Sequence, residues 1–492
     1  MPAIVIGARR MSRDSELYLI LDAGGQSLRA RVHDQHGQVK AESGQAIASD
    51  EQADGRVTLD GEALVEAAWQ VLAQVADELG SRCSQVAMAG LAVQRGSVLC
   101  WDRKTGQALS PVFSWRDRRG FDLGDREREV LARRVRSESG LRFSPYGGAA
   151  KIRWSLDNLP EVQAALQDQR LAAGPLGSFL LQRLLDSSPL LVDDTLAQRT
   201  LLWSRRDCDW SNALLEAFGI PRRILPEVVP GTHEFGYLGK PFSGVPLRTL
   251  VGDQNALAWL GGAGREQCLM INVGTGAFML RPTATPLLAE GFQTSFLERD
   301  QGGCYALEAS IHGAASALEW LARREGEAFA PDRLAGLRRR CPDPPLFLNA
   351  VDGLGSPWWL PGIEPEFIGQ ADADGRLLAV LESIVFLARI NLEHMESASA
   401  PVQRILVSGG LSRSPDFCQL LADGLGRGIE RLDDGEGTAA GTWCRLSRAD
   451  AALLNWTPFE PAESASLEQR FQSWRAHMPP EPEMAPARTL AR

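Results

Sequence analysis

Apolar residues recur along the chain at two spacings, which predict helices and strands in alternation. Residues 61–79 and 377–395 place apolar side chains three and four positions apart, as in helices that bury one face. Residues 86–93 form a continuous apolar run, typical of a strand covered on both faces. Strand hairpins followed by helices occur in both halves of the chain. The pattern therefore predicts an α/β protein with an internal structural duplication.

Two predicted hairpins join apolar strands through glycine turns. In LYLILDAGGQSLRARV, Asp22 ends a strand and residues 24–27 form the turn. In LMINVGTGAFML, the turn is at residues 274–276. Because glycine has no Cβ, the backbone amides of such turns can approach an anion closely, and a turn with one acid suits a metal-bound triphosphate. An ordinary hairpin turn is the alternative for each segment.

A lone carboxylate and a second glycine turn lie at predicted helix starts. Asp253 opens the apolar run of VGDQNALAWL, where free backbone N–H groups keep a carboxylate ionised and suited to act as a base. An ordinary helix cap is the alternative. Further on, RILVSGG predicts a buried strand over 405–408 and a turn into a helix, where a flat ring can lie against the backbone. A plain strand-to-helix connection is the alternative there.

The size and charge of the chain exclude several classes of protein. With 492 residues and 44% hydrophobic content it can bury more than one core, and the segment 238–251 is the natural domain boundary. The net charge of −10 favours neither nucleic acid nor an acidic membrane as a partner. Its apolar runs all stop short of the roughly 18 residues that a membrane-spanning helix needs.

Cysteine and histidine usage indicates a cytoplasmic protein without a zinc site. The eight cysteines are scattered and include no CxxC pair, which is typical of reduced, buried thiols. The six histidines do not cluster. Residues 1–16 carry a basic pair after a short apolar run, the reverse of a secretory signal, and are expected to be flexible. The Pro-rich end MPPEPEMAPARTLAR is expected to be disordered.

The order of these motifs resembles that of the FGGY carbohydrate kinase family, with glycerol kinase and xylulokinase-like members as the nearest pattern. The resemblance runs from residue 17 to residue 445 and includes VQRGSVLCWD, SWRDRR, SPYGGAAKIRW and DGLGSPWW. It implies two actin-like (ribonuclease H-like) ATPase domains that close over a central nucleotide and sugar cleft. It also implies ATP-dependent phosphorylation of a hydroxyl on a small sugar or polyol.

The resemblance divides the chain into four parts. After the leader 1–16, residues 17–245 are expected to bind sugar and residues 246–450 to bind nucleotide. Residues 451–492 are expected to form a C-terminal extension that ends in the disordered tail. A small-molecule sugar or polyol is the expected partner, rather than nucleic acid or membrane, and a homodimer is left open.

The resemblance also assigns roles to residues of the motifs. Asp253 is expected to be the general base, and Asp22 and Asp253 are expected to hold the Mg²⁺ of Mg-ATP. The residues expected at the nucleotide are Gly24, Gly25, Gln26, Arg29, Gly274, Thr275, Gly276, Gly313, Gly409, Gly410 and Ser414. The residues expected at the acceptor are Gln94, Arg95, Trp115, Tyr146, Asp253 and Gln254. For Trp115, a buried core position is an equally good interpretation.

Two segments depart from the glycerol kinase pattern. Gly25 and Gln26 stand where that pattern has two threonines, which predicts an altered phosphate loop and keeps open a non-catalytic sensor or scaffold. Plain hydrolysis of ATP or polyphosphate is a third alternative. Gly96 stands where the pattern has Glu, which removes an acceptor for polyol hydroxyls and frees volume. A ketose or a four- to six-carbon polyol is therefore expected to be preferred over glycerol.

Overall fold

The computed structural model describes residues 16–120, 125–299, 304–326, 331–462, 465–483 and 487–489 of the chain. The predicted flexible leader lies outside these ranges, apart from Glu16. Two large mixed β-sheets, each packed against helices, form the centres of two domains. The α/β class predicted from the sequence is confirmed.

The first sheet has six strands, and the three that carry the site run parallel. Across the sheet the strands are Thr232–Tyr237, Pro246–Gly252, Val86–Val93, Leu17–Ala23, Ser27–Asp34 and Val39–Ala46. Because side chains alternate between the two faces of a strand, Leu21 and Ile20 enter different cores. Helix Gly61–Leu79 covers the face of Leu21, and helix Gly437–Ser447 covers the face of Ile20.

A smaller sheet, short strand pairs and further helices complete the first domain. The strands of the smaller sheet, in order, are Asp50–Glu51, Val57–Leu59, Val112–Phe113, Val98–Asp102 and Leu171–Pro175. The short pairs are Leu191–Asp193 with Glu227–Val229, and Trp203–Ser204 with Asp209–Trp210. The other helices are Asp125–Ser139, Gly148–Asn158, Pro160–Gln167, Leu176–Leu184, Asp194–Gln198 and Asn212–Phe218, with 3₁₀ turns at Gly80–Gln85 and Arg222–Ile224.

The second domain is built on a seven-stranded sheet. Its strands, in order, are Gln293–Glu298, Cys304–Ile311, Ala277–Thr283, Cys268–Val273, Arg404–Ser408, Ile429–Leu432 and Trp456–Phe459. Short pairs join Leu287–Leu288 with Arg488–Thr489, and Leu346–Leu348 with Glu366–Ile368. The α-helices are Asp253–Ala256, Ala315–Glu325, Leu337–Arg340, Ala373–Ala398, Pro415–Leu425, Gly437–Ser447 and Ala465–His477, and 3₁₀ segments are Leu257–Gln267, Pro331–Leu334, Gly410–Arg413 and Ala451–Leu453.

The two large sheets repeat one arrangement of strands. In each, three antiparallel strands are followed by two strands that lie parallel to the first of the three. Leu17–Ala23 holds that first place in one sheet, and Cys268–Val273 holds it in the other. The predicted internal duplication is therefore confirmed.

The first sheet extends past the predicted domain boundary between residues 245 and 246. Strand Pro246–Gly252 pairs in parallel with Val86–Val93, and its Leu250 and Val251 are fully buried. An apolar strand that is covered on both faces needs a neighbouring strand on which to pair, and the first sheet supplies it. The chain therefore crosses to the second domain only after this strand.

Residues after position 450 belong to the second domain and do not form a separate extension. Strand Trp456–Phe459 is the edge of the second sheet. Phe471 and Trp474 of helix Ala465–His477 are fully buried in the second core. Composition alone did not show this packing, because the apolar residues of the helix are few and large.

The Pro-rich tail was expected to be disordered, and its described residues make defined contacts. The indole Nε1 of Trp358 donates a hydrogen bond to the carbonyl of Pro479 at 3.0 Å. Arg488–Thr489 pairs with Leu287–Leu288. These contacts attach the described residues of the tail to the second domain, and the expected disorder of the tail stays a prediction.

Other predicted elements match the structure closely. Helix Gly61–Leu79 and strand Val86–Val93 have the predicted bounds, and helix Ala373–Ala398 includes the predicted 377–395. None of the helices described combines the length and the apolar composition that crossing a bilayer requires.

Candidate active site

Three neighbouring parallel strands end at one edge of the first sheet, and each delivers a predicted site residue there. Asp22 lies opposite Ala92 near the end of Leu17–Ala23, and Gly252 lies opposite Val93. Gln94 and Arg95 directly follow Val93, and Asp253 directly follows Gly252. Strands that run in the same direction end at the same edge, so residues more than 200 positions apart share one wall of the cleft.

The carboxylate of Asp22 lies in a buried and negatively charged environment. Its Oδ1 atom is enclosed and has no hydrogen-bond partner among the described residues. Burial first, and then the negative charges of Asp253 and Glu436, raise the pKa of Asp22 to about 7, against the opposing effect of Arg29 and Arg31. A buried oxygen without a partner beside other carboxylates is the arrangement that a bound cation satisfies.

Asp253 begins a short helix. The α-helix covers Asp253–Ala256 and continues as 3₁₀ turns, which are interrupted at Gly262, where φ is 58°. Asp253 Oδ1 accepts a hydrogen bond from the backbone N–H of Gln254 at 2.7 Å. Burial nevertheless raises the pKa of Asp253, against the lowering effect of Arg95 and Gln254. The helix start was expected to keep this acid ionised; the hydrogen bond from Gln254 acts in that direction, and burial opposes it.

A buried ionic cluster of Arg95, Arg199 and Glu308 joins the two domains beside Asp253. The Nη1 and Nη2 atoms of Arg95 donate to the two carboxylate oxygens of Glu308 at 2.7 and 3.1 Å, and Arg199 Nη2 donates to Glu308 Oε2 at 2.6 Å. Burial raises the pKa of Glu308, but the two arginines outweigh it and lower the pKa to about 2. Arg95 and Arg199 come from the first domain and Glu308 comes from strand Cys304–Ile311 of the second.

The guanidinium of Arg95 has few donors left for a ligand. Besides Glu308, it donates to Asn255 Oδ1 at 3.0 Å, and its Nε lies 3.6 Å from Asp253 Oδ1. The ring of Phe278 lies 5.7 Å from Arg95 Cζ. Arg95 was expected to offer a donor pair to vicinal hydroxyls, whereas the structure engages both terminal nitrogens with the protein itself.

The N-terminal glycine turn packs against predicted acceptor residues. Gly24 N donates to Ser27 O at 3.0 Å, which closes the turn, and Gln94 Nε2 donates to Gly24 O at 3.0 Å. A Cβ on Gly25 would lie 3.5 Å from Trp115 Nε1. Trp115 is only partly buried, which places it on the cleft wall beside the turn rather than inside the core.

Arg29 and Gln26 lie on the same turn but differ in their surroundings. Arg29 Nη1 is paired with Glu436 of the second domain. Gln26 is exposed, and its backbone carbonyl accepts from Ile47 N at 2.9 Å. Arg29 therefore links the two sides of the cleft, and its charge is partly neutralised before any phosphate binds.

The second glycine turn is held by the start of a helix. Gly274 N donates to Gly276 O at 3.0 Å, and Ser316 N donates to Thr275 O at 2.9 Å. Gly313, just before helix Ala315–Glu325, has no room for a side chain, because a Cβ would lie 2.2 Å from Asn349 Oδ1. The predicted turn is confirmed as a hairpin, and Gly313 lies next to it.

The remaining predicted nucleotide residues follow strand Arg404–Ser408. Gly409 has a φ of 98°, and a Cβ there would lie 2.6 Å from Asn272 Oδ1, so only glycine fits. Asn272 Nδ2 in turn donates to Gln254 Oε1 at 2.9 Å, which connects Gly409 to the start of the Asp253 helix. Gly410 faces open space. Ser414 caps helix Pro415–Leu425, since its Oγ accepts from a backbone N–H of that helix.

Four aromatic rings line the wall next to the predicted acceptor position. Trp115 and Tyr146 have ring centroids 6.1 Å apart, Tyr146 and His312 6.4 Å, and His312 and Trp359 6.0 Å. Gly96 has a φ of 79°, and a Cβ there would lie 2.9 Å from the carbonyl oxygen of Tyr146. Gly96 was expected to free volume for the acceptor, but Tyr146 partly fills that volume. The other part of the prediction, that Gly96 lacks a carboxylate to bind polyol hydroxyls, remains.

The paired sheets and the interdomain cleft place the protein in the actin-like ATPase fold class. The N-terminal domain model of the FGGY family of carbohydrate kinases matches residues 17–256, and its C-terminal domain model matches residues 269–449. The chain belongs to the FGGY family of carbohydrate kinases. Both matches place strand Pro246–Gly252 with the N-terminal domain, in agreement with the sheet.

Curated relatives and solved structures agree with this assignment. A glycerol kinase of Alkalilimnicola ehrlichii is 32% identical over 478 residues, 93% of this chain and 96% of the relative. Glycerol kinase 1 of Pseudomonas aeruginosa is 32% identical over 442 residues, 87% of this chain and 89% of the relative. A Plasmodium falciparum glycerol kinase solved with ADP has a TM-score of 0.78 at 20% identity, with 94% of this chain and 97% of that one covered. A xylulose kinase of Rhodospirillum rubrum has a TM-score of 0.79 at 19% identity, covering 94% and 98%.

Sequence reasoning missed several residues that the structure brings to the site. Glu308 interrupts the apolar strand YALEASI, and a lone charge within a buried strand was a usable signal. Arg199 and Asn255 had no comparable signal, because their positions depend on how the two domains meet. Phe278 follows the second glycine turn and was treated only as part of the returning strand.

Proposed function

We propose that the protein transfers the γ-phosphoryl group of ATP to a hydroxyl of a small, uncharged sugar or polyol, with Asp253 as the general base. The observation that carries the proposal is the delivery of Asp22, Arg95 and Asp253 to one cleft wall by three parallel strands. Phosphoryl transfer needs positioning, neutralisation of charge and an acceptor for the hydroxyl proton. These three side chains have the chemistry for those tasks.

The surroundings of Asp253 support its role as the base. A carboxylate with a raised pKa holds a proton more strongly than an ordinary aspartate, which makes it a better acceptor for a hydroxyl proton. Arg95, at 3.6 Å, limits that shift and keeps the ionised form available before the reaction. Gln254 N donates to Oδ1, so we assign the role of proton acceptor to Oδ2.

The residues around Asp22 fit a magnesium ion bound with the nucleotide. Among the described residues, no group of three acidic, histidine or cysteine side chains forms a metal cage. Mg²⁺ uses one or two carboxylates together with waters and phosphate oxygens, so it does not need such a cage. Asp22, with its unpartnered Oδ1, would hold the ion, with Asp253 nearby, and the ion would neutralise phosphate charge during transfer.

The charge balance of the cleft supports an uncharged acceptor. Arg95 and Arg199 share Glu308, which is almost fully buried, and Arg95 also faces Asp253. The positive charges of Arg95 and Arg199 and the negative charges of Glu308 and Asp253 therefore balance before any substrate binds. An anionic acceptor would have to displace Glu308 from Arg95, at the cost of leaving a buried carboxylate unpaired.

The finer part of the proposal is a preference for an acceptor larger than glycerol. Gly96 provides no carboxylate to accept hydrogen bonds from a small triol, and a positive φ favours glycine there. The row of Trp115, Tyr146, His312 and Trp359 extends the wall along which a longer carbon chain can pack. Glycerol itself is the second candidate, because the relatives at 32% identity are named glycerol kinases.

An acceptor screen tests the proposal on the parent protein. ADP release is measured with Mg-ATP and glycerol, erythritol, xylulose, ribulose and hexuloses, and kcat/KM is compared across the panel. We expect acceptor-dependent ADP release, with a ketose or a four- to six-carbon polyol ranked above glycerol. If glycerol ranks first, the interpretation of Gly96 is wrong.

Two other outcomes would favour the remaining alternatives. Sugar or nucleotide binding without stimulated turnover would indicate the sensor or scaffold, and phosphate release without an acceptor would indicate a hydrolase. Gly96→Glu is a poor control, because an L-residue at a φ of 79° and 2.9 Å from the Tyr146 carbonyl would strain the loop.

The eight free thiols support the cytoplasm as the site of the reaction.

A further inference from the structure

Lys151 is a buried lysine in a chain whose positive charges are mostly arginines. The 52 basic residues include only four lysines, at positions 40, 104, 151 and 240. Lys151 lies in helix Gly148–Asn158 and has no exposed surface. A fully buried ammonium is costly unless the structure solvates it, so its immediate partners are informative.

The ammonium of Lys151 is surrounded by backbone carbonyl oxygens. Its Nζ lies 2.9 Å from Ser114 O and 3.4 Å from each of the carbonyl oxygens of Gly96, Trp115 and Tyr146. A compact ammonium can be shared among carbonyls in several directions, which the planar fork of arginine cannot do. This contact set suits lysine better than arginine at position 151.

The four carbonyls belong to the three loops that carry the predicted acceptor residues. Gly96 directly follows Arg95, and Trp115 and Tyr146 contribute both a carbonyl to Lys151 and a ring to the cleft wall. The loops come from different elements, after Val86–Val93, after Val112–Phe113 and before Gly148–Asn158. Lys151 is therefore a shared anchor behind the acceptor side of the cleft.

The ionisable groups near Lys151 do not neutralise it directly. Asp117 is fully buried, pairs with Arg119 and accepts a hydrogen bond from Val57 N at 2.8 Å. The pKa of Lys151 is lowered to about 7, and burial is the largest cause. The negative charge of Asp117 opposes this shift, and the positive charge of Arg119 contributes to it. The carbonyl dipoles are thus the main partners of the charge.

We propose that Lys151 is a positioning residue for the acceptor, whose ammonium holds the loops of Arg95, Trp115 and Tyr146 at their mutual spacing. The inference rests on the proposed kinase function and goes beyond it by assigning acceptor binding to a residue that does not touch the acceptor. Without the cation, four carbonyl oxygens face one another across a buried space and the loops move apart. The nucleotide residues lie mainly on the second domain and keep their geometry.

Lys151→Met tests the proposal, because it keeps the length of the side chain and removes the charge. We expect the KM for the acceptor to rise about tenfold, with the KM for ATP changed less than twofold, as for the loss of a charged hydrogen-bonding group. Lys151→Gln, which keeps two N–H donors, should fall between parent and Lys151→Met. Arg153→Met on the same helix is the matched control, since Arg153 contacts Asp157 and Gly219 and none of the three loops.

Hydrogen exchange separates positioning from a general loss of stability. In Lys151→Met, amides of residues 94–98, 113–117 and 144–147 should exchange faster, while those of strand Cys268–Val273 should not change. A lower kcat with both KM values and loop exchange unchanged would show that Lys151 is merely structural and would overturn the proposal.

A measurement on the parent protein covers the case in which both variants fail to fold. With only four lysines, ¹⁵N-lysine labelling gives four Nζ signals, and the buried one is distinguished by slow proton exchange. Saturation with the best acceptor should shift that signal, whereas ADP should not. No shift on acceptor binding would overturn the proposal.

If the parent phosphorylates no acceptor at all, the proposed kinase function is wrong. If the parent is active and its Lys151 variants keep the parent KM, only the proposal for Lys151 is wrong.

Discussion

Among single residues, Asp22 carries a charge that its protein surroundings stabilise poorly. It ends a buried strand, one of its oxygens has no partner among the described residues, and its nearest charges include two other carboxylates. The protein alone does not stabilise an ionised Asp22, whereas a bound divalent cation does so directly. In the proposed function, the same property would make Asp22 a ligand for the magnesium that accompanies the nucleotide.

Asp22→Ala is expected to lower turnover and to raise the magnesium concentration needed for half-maximal rate. The physical reason is the loss of a carboxylate that holds the ion, which weakens the Mg-nucleotide complex as well as the chemistry. Magnesium titrations at fixed ATP and saturating acceptor measure the effect. Asp54→Ala, which removes an exposed turn carboxylate, is the control. An unchanged magnesium requirement would place Asp22 outside the metal site.

Individual side chains were predictable from the sequence where a motif fixes the backbone around them. Asp22, Asp253 and the glycine turns were found because strand, turn and helix signals are local. The raised pKa of Asp253 and the engagement of Arg95 by Glu308 were not found, since both depend on burial and on a residue 213 positions away. The charge state of a side chain and its hydrogen-bond partners depend on the tertiary structure, which the spacing of apolar residues does not reveal.

At the level of elements, the hairpins and long helices follow their apolar spacing, and the exceptions have local causes. Helix Gly61–Leu79 was predicted because its apolar residues recur regularly along one face. In the structure, the side chain of Asp60 caps its start. The α-helix after Gly252 is short, and the apolar run that follows it passes through a glycine-rich stretch as 3₁₀ turns. Ser414 was expected at the nucleotide, and the structure shows its hydroxyl as a helix cap; its contact with a ligand stays a prediction.

At the scale of the whole molecule, the ion cluster around Glu308 is a bridge between the two domains. Arg95 and Arg199 reach Glu308 across the cleft, and Glu308 is only 1% exposed. The division into domains was predicted only approximately, because a strand that continues the first sheet looks like the start of the next unit in sequence. The homodimer that the sequence left open is not tested by the structure of a single chain.

Glu308→Gln is expected to destabilise the protein by about 3–5 kcal/mol at neutral pH, since it leaves two buried arginines with one carboxylate fewer. The folded-state pKa of Glu308 is lowered to about 2, so its contribution is present above the ordinary pKa of 4.5 and is lost as the pH falls toward 2. Urea unfolding across this pH range measures the difference. Glu129→Gln, in an ion pair with both side chains 68% exposed, is the control and should cost less than about 1 kcal/mol. If Glu308→Gln destabilises the protein no more than Glu129→Gln does, Glu308 is not a stabilising bridge between the domains.

Acceptor-dependent ADP release by the parent and by Asp253→Asn tests the central claim most directly. The base accepts the hydroxyl proton and does not hold the fold, so we expect turnover to fall by about 10² to 10⁴ while the Kd for ATP and the melting temperature stay close to those of the parent. Turnover of Asp253→Asn within a few-fold of the parent would contradict the assignment of Asp253 as the general base.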